Sequence, residues 1–183
     1  EFRRVLFRSN RRTITFLREP LDRCVSWYYY ARSRPLKHVI PMGEIEYINS
    51  PAEAISLAKH LDIDAFFEQD HPHILQNIGN RQVWQIGDHA DVENRTITEE
   101  MILERALNNL RELDFVGFAE TFNDDVSRMA SELDLGGVDE IPFTNRSKDR
   151  AGLDELSDHV VNKLNELNEL DITFYEKARN EFS

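Results

Sequence analysis

Three features of the sequence predict a helix-rich α/β domain whose parallel sheet has few strands. Thr13–Leu17 (TITFL) is a short β-branched and aromatic run that ends in a polar turn and opens into a helical pattern. Asp114–Phe118 is a second apolar run, set between two amphipathic stretches. The other periodic segments repeat at helical spacing, as if part of a parallel sheet were missing.

The elements follow in order. Thr13–Leu17 is expected to be a strand buried on both faces, closed by Arg18-Glu19-Pro20. Pro20 cannot donate to a ladder but suits a first helical turn. Leu21, Val25 and Tyr28 recur at helical spacing and predict a helix to about Arg32, completing the front half of a βαβ unit. Residues 33–49 hold Pro35, Pro41 and Gly43 without periodicity and predict a long surface loop. Ser50-Pro51-Ala52-Glu53 is a capping box with Pro at the first helical position; its helix is predicted to about Leu61, with a shorter one over Asp64–Glu68. His71-Pro72-His73 is expected to begin an irregular stretch leading into Asn77–Gly87. Thr98 caps a predicted helix from Glu99 to about Leu113, with Ile102, Ala106 and Leu110 on one face. After the second strand, Thr121–Leu133 is predicted helical with Phe122, Val126, Met129 and Leu133 in line. Gly136-Gly137 breaks the chain, residues 141–150 are polar and basic, and helices over Leu153–Leu167 and Asp171–Phe182 complete it.

The 183 residues suffice for one domain with a core, and the hydrophobic fraction of 40% suits a folded protein. No apolar run approaches the roughly 18 to 20 residues that span a bilayer, so this portion is expected to be soluble. With 34 acidic against 22 basic residues the net charge is −12. Such a chain repels a nucleic acid on average, so any anionic ligand must be held by a few local Arg and Lys residues. The single cysteine, Cys24, excludes an intrachain disulfide and is expected to fill the core. Glu1–Ser9 (EFRRVLFRS) back-translates into a common sequencing-library adapter and has no signal-peptide pattern. The native chain is therefore expected to start near Asn10, truncated upstream, and to be more acidic still without Arg3, Arg4 and Arg8.

The stretch with chemistry is the first strand–turn–helix. A parallel strand delivers its C-terminal end to the edge where open α/β folds bind ligands, and Arg18 lies there. The helix that follows offers N–H groups and the positive end of its dipole. Arg18 can clasp two phosphate oxygens with its planar fork, and Ser26, on the face of Asp22 and Arg23, can add a hydroxyl. Glu19 and Asp22 crowd the same helix start, so spacing alone leaves phosphate binding and a structural Arg–Glu pair both open. His71 and His73 could offer two metal ligands, yet the intervening Pro72 and the absence of nearby Cys favour a surface loop. His89 beside Asp88 and Asp91 could be a base or a metal ligand, but as a lone loop histidine it is expected to be exposed and idle. Trp27 and Tyr28-Tyr29-Tyr30 could stack on a ring, but consecutive helical positions send at least one toward the core. Neither complete glycine-rich nucleotide loop, G-x-x-x-x-G-K-[ST] or G-x-G-x-x-G, occurs. A fragment of a P-loop kinase and a non-catalytic helical interaction module both remain open on these grounds.

The run Arg18-x-Pro20-x-x-Arg23-x-x-Ser26, between a hydrophobic strand and aromatic residues, resembles the 3′-phosphate-binding motif of sulfotransferases. These enzymes take 3′-phosphoadenosine-5′-phosphosulfate (PAPS) as donor. The pattern is similar to that of the carbohydrate-type group that includes the heparan sulfate 2-O- and chondroitin/dermatan sulfotransferases. Asn77–Gly87 resembles the segment joining donor and substrate halves. Phe115–Phe122 resembles the family's V-G-x-x-E-x-F passage, Asn145-Arg146-Ser147 its late nucleotide loop, and Leu170-Asp171 with Tyr175 and Ala178 its closing helix.

The resemblance implies a P-loop-like fold, a parallel sheet flanked by helices, whose N-terminal strand and phosphosulfate loop are missing here. It implies that Arg18 and Ser26 bind the donor's 3′-phosphate, that Arg146, Ser147 and Lys148 lie near the nucleotide, and that Arg81 faces an acidic or hydroxyl-rich acceptor. The catalytic base precedes the motif in this family, so it too is expected upstream of residue 10, leaving residues 10–183 as a partial and inactive domain. The implied reaction needs no metal, and the implied acceptor is a carbohydrate hydroxyl. Bacterial relatives imply a cytoplasmic protein and eukaryotic ones a Golgi membrane enzyme.

Overall fold

Two short strands and the helices around them make up the computed structural model, which describes residues 12–35, 49–87, 97–136 and 150–183. The expectations for Glu1–Ser9, for Pro41 and Gly43, for Asp88, His89 and Asp91, and for Asn145, Arg146, Ser147 and Lys148 lie outside the described residues.

β1 (Ile14–Leu17) and β2 (Phe115–Phe118) pair in parallel, Ile14 opposite Phe115 and Leu17 opposite Phe118. The ladder is closed at its ends by Asp114 N–H on Thr13 O at 2.9 Å and Ala119 N–H on Leu17 O at 2.7 Å. β2 is buried throughout. β1 is not buried on both faces as its composition predicts: Ile14 is 44% exposed and Leu17 only 2%. β-branched and aromatic residues suit a pleated, half-buried surface, so composition does not report depth. Gly117 lets the strands approach, since a Cβ there would lie 2.6 Å from the Phe16 ring.

α1 (Pro20–Ser33) follows β1 with Pro20 in its first turn and Glu19 as its cap. α2 (Pro51–His60) starts at Ser50, whose hydroxyl accepts Glu53 N–H at 3.2 Å. The reciprocal half of the predicted box is shifted by one residue, because Glu53 Oε2 accepts from Asn49 N–H. α3 (Ile63–Phe67) is capped by Asp62.

The stretch from His71 to Gly87 is not irregular. It forms α4 (Pro72–Ile78) and α5 (Arg81–Ile86), two helices too short to show two periods of an apolar stripe. His71 is the cap of α4: its Nδ1 accepts His73 N–H at 3.2 Å, and its Nε2 lies 3.2 Å from Glu53 Oε2. The two histidines thus shape a helix start, and no group of three metal-ligating side chains occurs among the described residues.

α6 (Glu99–Arg111) is capped by Thr98 and buries Ile102, Ala106 and Leu110 as its pattern predicts. α7 (Phe122–Glu132) follows β2; its Phe122 is 37% exposed, with its ring 4.9 Å from that of Phe16. The single helix predicted over Leu153–Leu167 is instead a 3₁₀ turn, Leu153–Glu155, and α8 (Asp158–Leu167). Ser157 makes the division by accepting Val160 N–H, which starts a new helix. α9 (Glu169–Phe182) ends the chain.

One hydrophobic cluster joins α1 to α2, α3, α4 and α8 through Cys24, Phe66, Phe67, Ile74, Ile78 and Leu164. The other packs the sheet on α5, α6 and α9 through Leu17, Val83, Leu110, Val116, Phe118 and Phe174. Cys24 is fully buried, and burial pushes its thiol up to about 11, which makes it core filling rather than a nucleophile. Among the aromatic run, Tyr28 is buried and Tyr30 is 54% exposed, the split that consecutive helical positions require.

Asp125 fixes α7 to the end of β2. Its Oδ2 accepts Phe118 N–H at 2.8 Å and Thr121 Oγ1–H at 2.7 Å, and its Oδ1 pairs with Arg128 Nη2 at 2.8 Å. Burial pushes its carboxyl up, but these hydrogen bonds outweigh it and hold the group below its ordinary 3.8. A folded-state value below the unfolded one adds stability that is present above about pH 4 and lost as pH falls through the folded value. Urea midpoints compared between about pH 6 and about pH 3 should therefore fall less in Asp125→Asn than in the wild type. An equal acid loss in both would show that Asp125 does not carry this term.

Candidate functional site

The carboxyl end of β1 is where the chain concentrates charge. Arg18, the first residue past the strand, donates from Nη1 to Ser26 Oγ at 2.5 Å, and its Nε lies 3.5 Å from Asp22 Oδ2. Asp22 and Ser26 are four residues apart on α1 and so share a face, onto which Arg18 folds back. Because Ser26 Oγ accepts from Arg18, its own O–H remains available to donate outward.

Arg150 joins this group from the far side of the sequence. Its Nη2 donates to the Asp22 carboxylate and, at 2.6 Å, to the Asp22 carbonyl. Two guanidinium groups thus face one carboxylate, and the trio is net positive in an acidic chain. The Arg18 side chain is 36% exposed, so this charge can be reached from solvent. Spacing did not single out Arg150. The available signal was its position at the end of the polar, basic stretch 141–150.

The helix N-terminus contributes less to an anion site than the strand–turn–helix pattern suggests. The Glu19 carboxylate accepts Leu21 N–H at 3.1 Å and Asp22 N–H at 2.6 Å, so those donors are already satisfied. Glu19 N–H in turn donates to Glu120 Oε1 at 2.8 Å, and Glu120 Oε2 accepts from Tyr175 O–H at 2.7 Å. Burial, then that hydrogen bond to Glu120, raises the Tyr175 phenol far above its ordinary value, which makes it a fixed donor. Glu120 thereby ties the end of β1 to the end of β2 and to α9.

Arg23, the second arginine of the motif, does not join Arg18. It turns into the protein, donating to the carbonyls of Asn77 at 2.6 Å and Ile78 at 2.9 Å, with Nε 3.7 Å from Asp171. These carbonyls end α4, where a cation is favoured. Asp171 is fully buried; burial pushes its carboxyl up, opposed by Gln82 N–H at 2.9 Å, Val83 N–H at 2.7 Å and Arg23.

Arg81, at the start of α5, is half-buried, and its side chain makes no hydrogen bond or ion pair with another described residue. It lies near His73, which burial, His71 and Arg81 together hold below the ordinary histidine range. His73 is also beside Trp27, ring centroids 6.2 Å apart, and Asn77 Nδ2 is 3.4 Å from its Nε2. The structure therefore brings Arg18 and Ser26 together, adds Arg150 and Asp22 to them, and places Arg81 on a different pair of helices. Arg146, Ser147 and Lys148 lie outside the described residues. Among the described residues no helix is long and apolar enough to cross a membrane.

Comparison with known proteins bears on this arrangement. The chain is 28% identical over 179 residues to heparan-sulfate 6-O-sulfotransferase 1 of Gallus gallus, an alignment that covers 91% of this chain and 42% of the relative. The chain thus spans well under half the length of that protein. No solved structure gives a significant match. The model of the sulfotransferase family matches residues 2–178, almost from end to end, and the chain belongs to that family.

Proposed function

We propose that this chain carries the 3′-phosphate half of a PAPS site in a P-loop-like sulfotransferase that acts on a carbohydrate hydroxyl. The observation that carries the reading is the Arg18–Ser26 contact at the carboxyl end of β1, in a chain of this family. The donor supplies an activated sulfuryl group when bound. The residues fit its 3′-phosphate: Arg18 offers a fork, Ser26 a hydroxyl with its hydrogen free, and Arg150 a second cation that offsets Asp22. Glu19 keeps the helix dipole for itself, so the affinity rests on these side chains. Family membership decides against the kinase reading that spacing left open.

The acceptor follows from the heparan-sulfate enzyme that the chain resembles, and Arg81 is the residue proposed to meet its acidic groups. A polyanion approaching an acidic protein needs such a cation. No counterpart of the phosphosulfate loop is recognised in these residues, and sulfuryl transfer needs in-line positioning and charge stabilisation at the bridging oxygen. We therefore expect the chain by itself to bind nucleotide and to transfer no sulfate.

Calorimetry on the full chain with adenosine 3′,5′-bisphosphate and with adenosine 5′-monophosphate tests the donor site. Tighter binding of the bisphosphate is expected; equal affinity for the two, or no heat with either, would overturn the assignment. Incubation with PAPS and a desulfated heparan oligosaccharide tests the second part, and sulfated product from this chain alone would refute it.

A further inference from the structure

We propose that Gln82 is a positioning residue for the 3′-phosphate, acting through the backbone of Arg18; the inference rests on the donor reading above. Leu17 is the last β1 residue paired with β2, and its carbonyl accepts Ala119 N–H; Arg18, next along, turns its own peptide groups away from β2, toward the other edge of β1. Gln82 supplies both partners. Arg18 N–H donates to Gln82 Oε1 at 2.9 Å, and Gln82 Nε2 donates to Arg18 O at 2.8 Å. A side-chain amide thus holds both peptide groups of Arg18 where the functional side chain leaves the strand.

The pairing is rigid because Gln82 is itself fixed. It is 9% exposed, and its own N–H is held by Asp171 Oδ2. α5 has six residues, too few to stand alone, so its first turn depends on the Asp171 carboxylate. The dependence is reciprocal: Asn80, at φ 46°, turns its Oδ1 onto Leu170 N–H and Asp171 N–H, both at 3.0 Å, and so starts α9. The two helix starts cap each other, and their product is a fixed amide opposite Arg18. Arg23 closes the circuit by linking Asp171 to α1, the helix that carries Ser26. Arg18 and Ser26 are thereby referenced to one buried carboxylate from both sides. A displacement of about 1 Å in such a pair can cost on the order of 100-fold in productive geometry.

The test is the ratio of dissociation constants for adenosine 5′-monophosphate and adenosine 3′,5′-bisphosphate, which isolates what the 3′-phosphate contributes. Gln82→Leu removes both hydrogen bonds and is expected to lower that ratio about 10-fold, with affinity for the monophosphate nearly unchanged. Gln82→Glu keeps the acceptor for Arg18 N–H and loses the donor to Arg18 O, so it should fall between the two. An unchanged ratio in folded Gln82→Leu would show that Gln82 serves only to hold α5, whatever its effect on melting. If that variant does not fold, an unchanged ratio in Gln82→Glu overturns the proposal instead. A wild-type ratio of one would reject the donor site itself and the positioning role with it.

Discussion

Replacing Arg18 by alanine should weaken adenosine 3′,5′-bisphosphate binding by on the order of 100-fold while leaving adenosine 5′-monophosphate binding nearly untouched. The size follows from the chemistry. Hydrogen bonds between charged partners are worth about 1.5 to 3 kcal/mol, and a guanidinium can make two to one phosphate. The loss also neutralises the site, because without Arg18 only Arg150 faces Asp22 and the local surplus of positive charge disappears. Arg18→Lys should recover only part of the affinity, since an ammonium restores the charge and not the fork or the reach to Ser26. Ser26→Ala removes a single neutral donor and should cost about 10-fold. Raising the salt concentration should weaken the wild type more than Arg18→Ala, because the site is partly exposed and screened. Bisphosphate selectivity that survives in Arg18→Ala would move the 3′-phosphate elsewhere on the protein.

How much of this could be read from the residues depends on the range of the interaction that decides each feature. The β1–α1 turn and the caps Ser50 and Thr98 are local, set within three or four residues, and their types sufficed. α4 and α5 escaped because both are short and unusually started. α4 is capped by an imidazole, and α5 by a carboxylate 89 residues from Gln82. The role of Gln82 is tertiary in the same sense, since its partner Arg18 is 64 residues away, and Arg150 reaches Asp22 across 128. Arg23 shows the reverse case. It occupies a place in the motif beside Arg18 and Ser26, yet the carbonyl ends of α4 draw it into the interior. Spacing identified which residues share α1 and could not say which of them turn outward. Glu19 was legible as a competitor for the helix start, and the structure shows it holding two of the N–H groups that a phosphate would otherwise use.

Asp171→Ala should be the most destabilising single change in the described structure, lowering the free energy of unfolding by about 3 to 5 kcal/mol. Asp171 is fully buried, and its two oxygens take the N–H groups of Gln82 and Val83 while Arg23 stands beside it. Truncation leaves two buried N–H groups without acceptors and a guanidinium whose side chain is only 15% exposed without its counter-charge. It also removes the first-turn support of α5 and with it the fixed position of Gln82. Set against a total of about 5 to 15 kcal/mol for a domain, such a loss would leave a marginal fold. Asp171→Asn separates the two contributions. The amide keeps one oxygen for either Gln82 N–H or Val83 N–H, turns an N–H₂ toward the other, and carries no charge for Arg23. It should therefore recover only part of the loss. Removing both members of the pair, as in Arg23→Met with Asp171→Asn, should cost less than the two single losses combined, because no buried charge is then left alone. Urea midpoints and slopes for the wild type, the three single variants and the double variant decide the matter. A loss below about 1 kcal/mol for Asp171→Ala, or strict additivity of the pair, would mean that Asp171 and Arg23 do not act as one buried unit, and that the end of β1 is held by the Glu19–Glu120–Tyr175 chain instead.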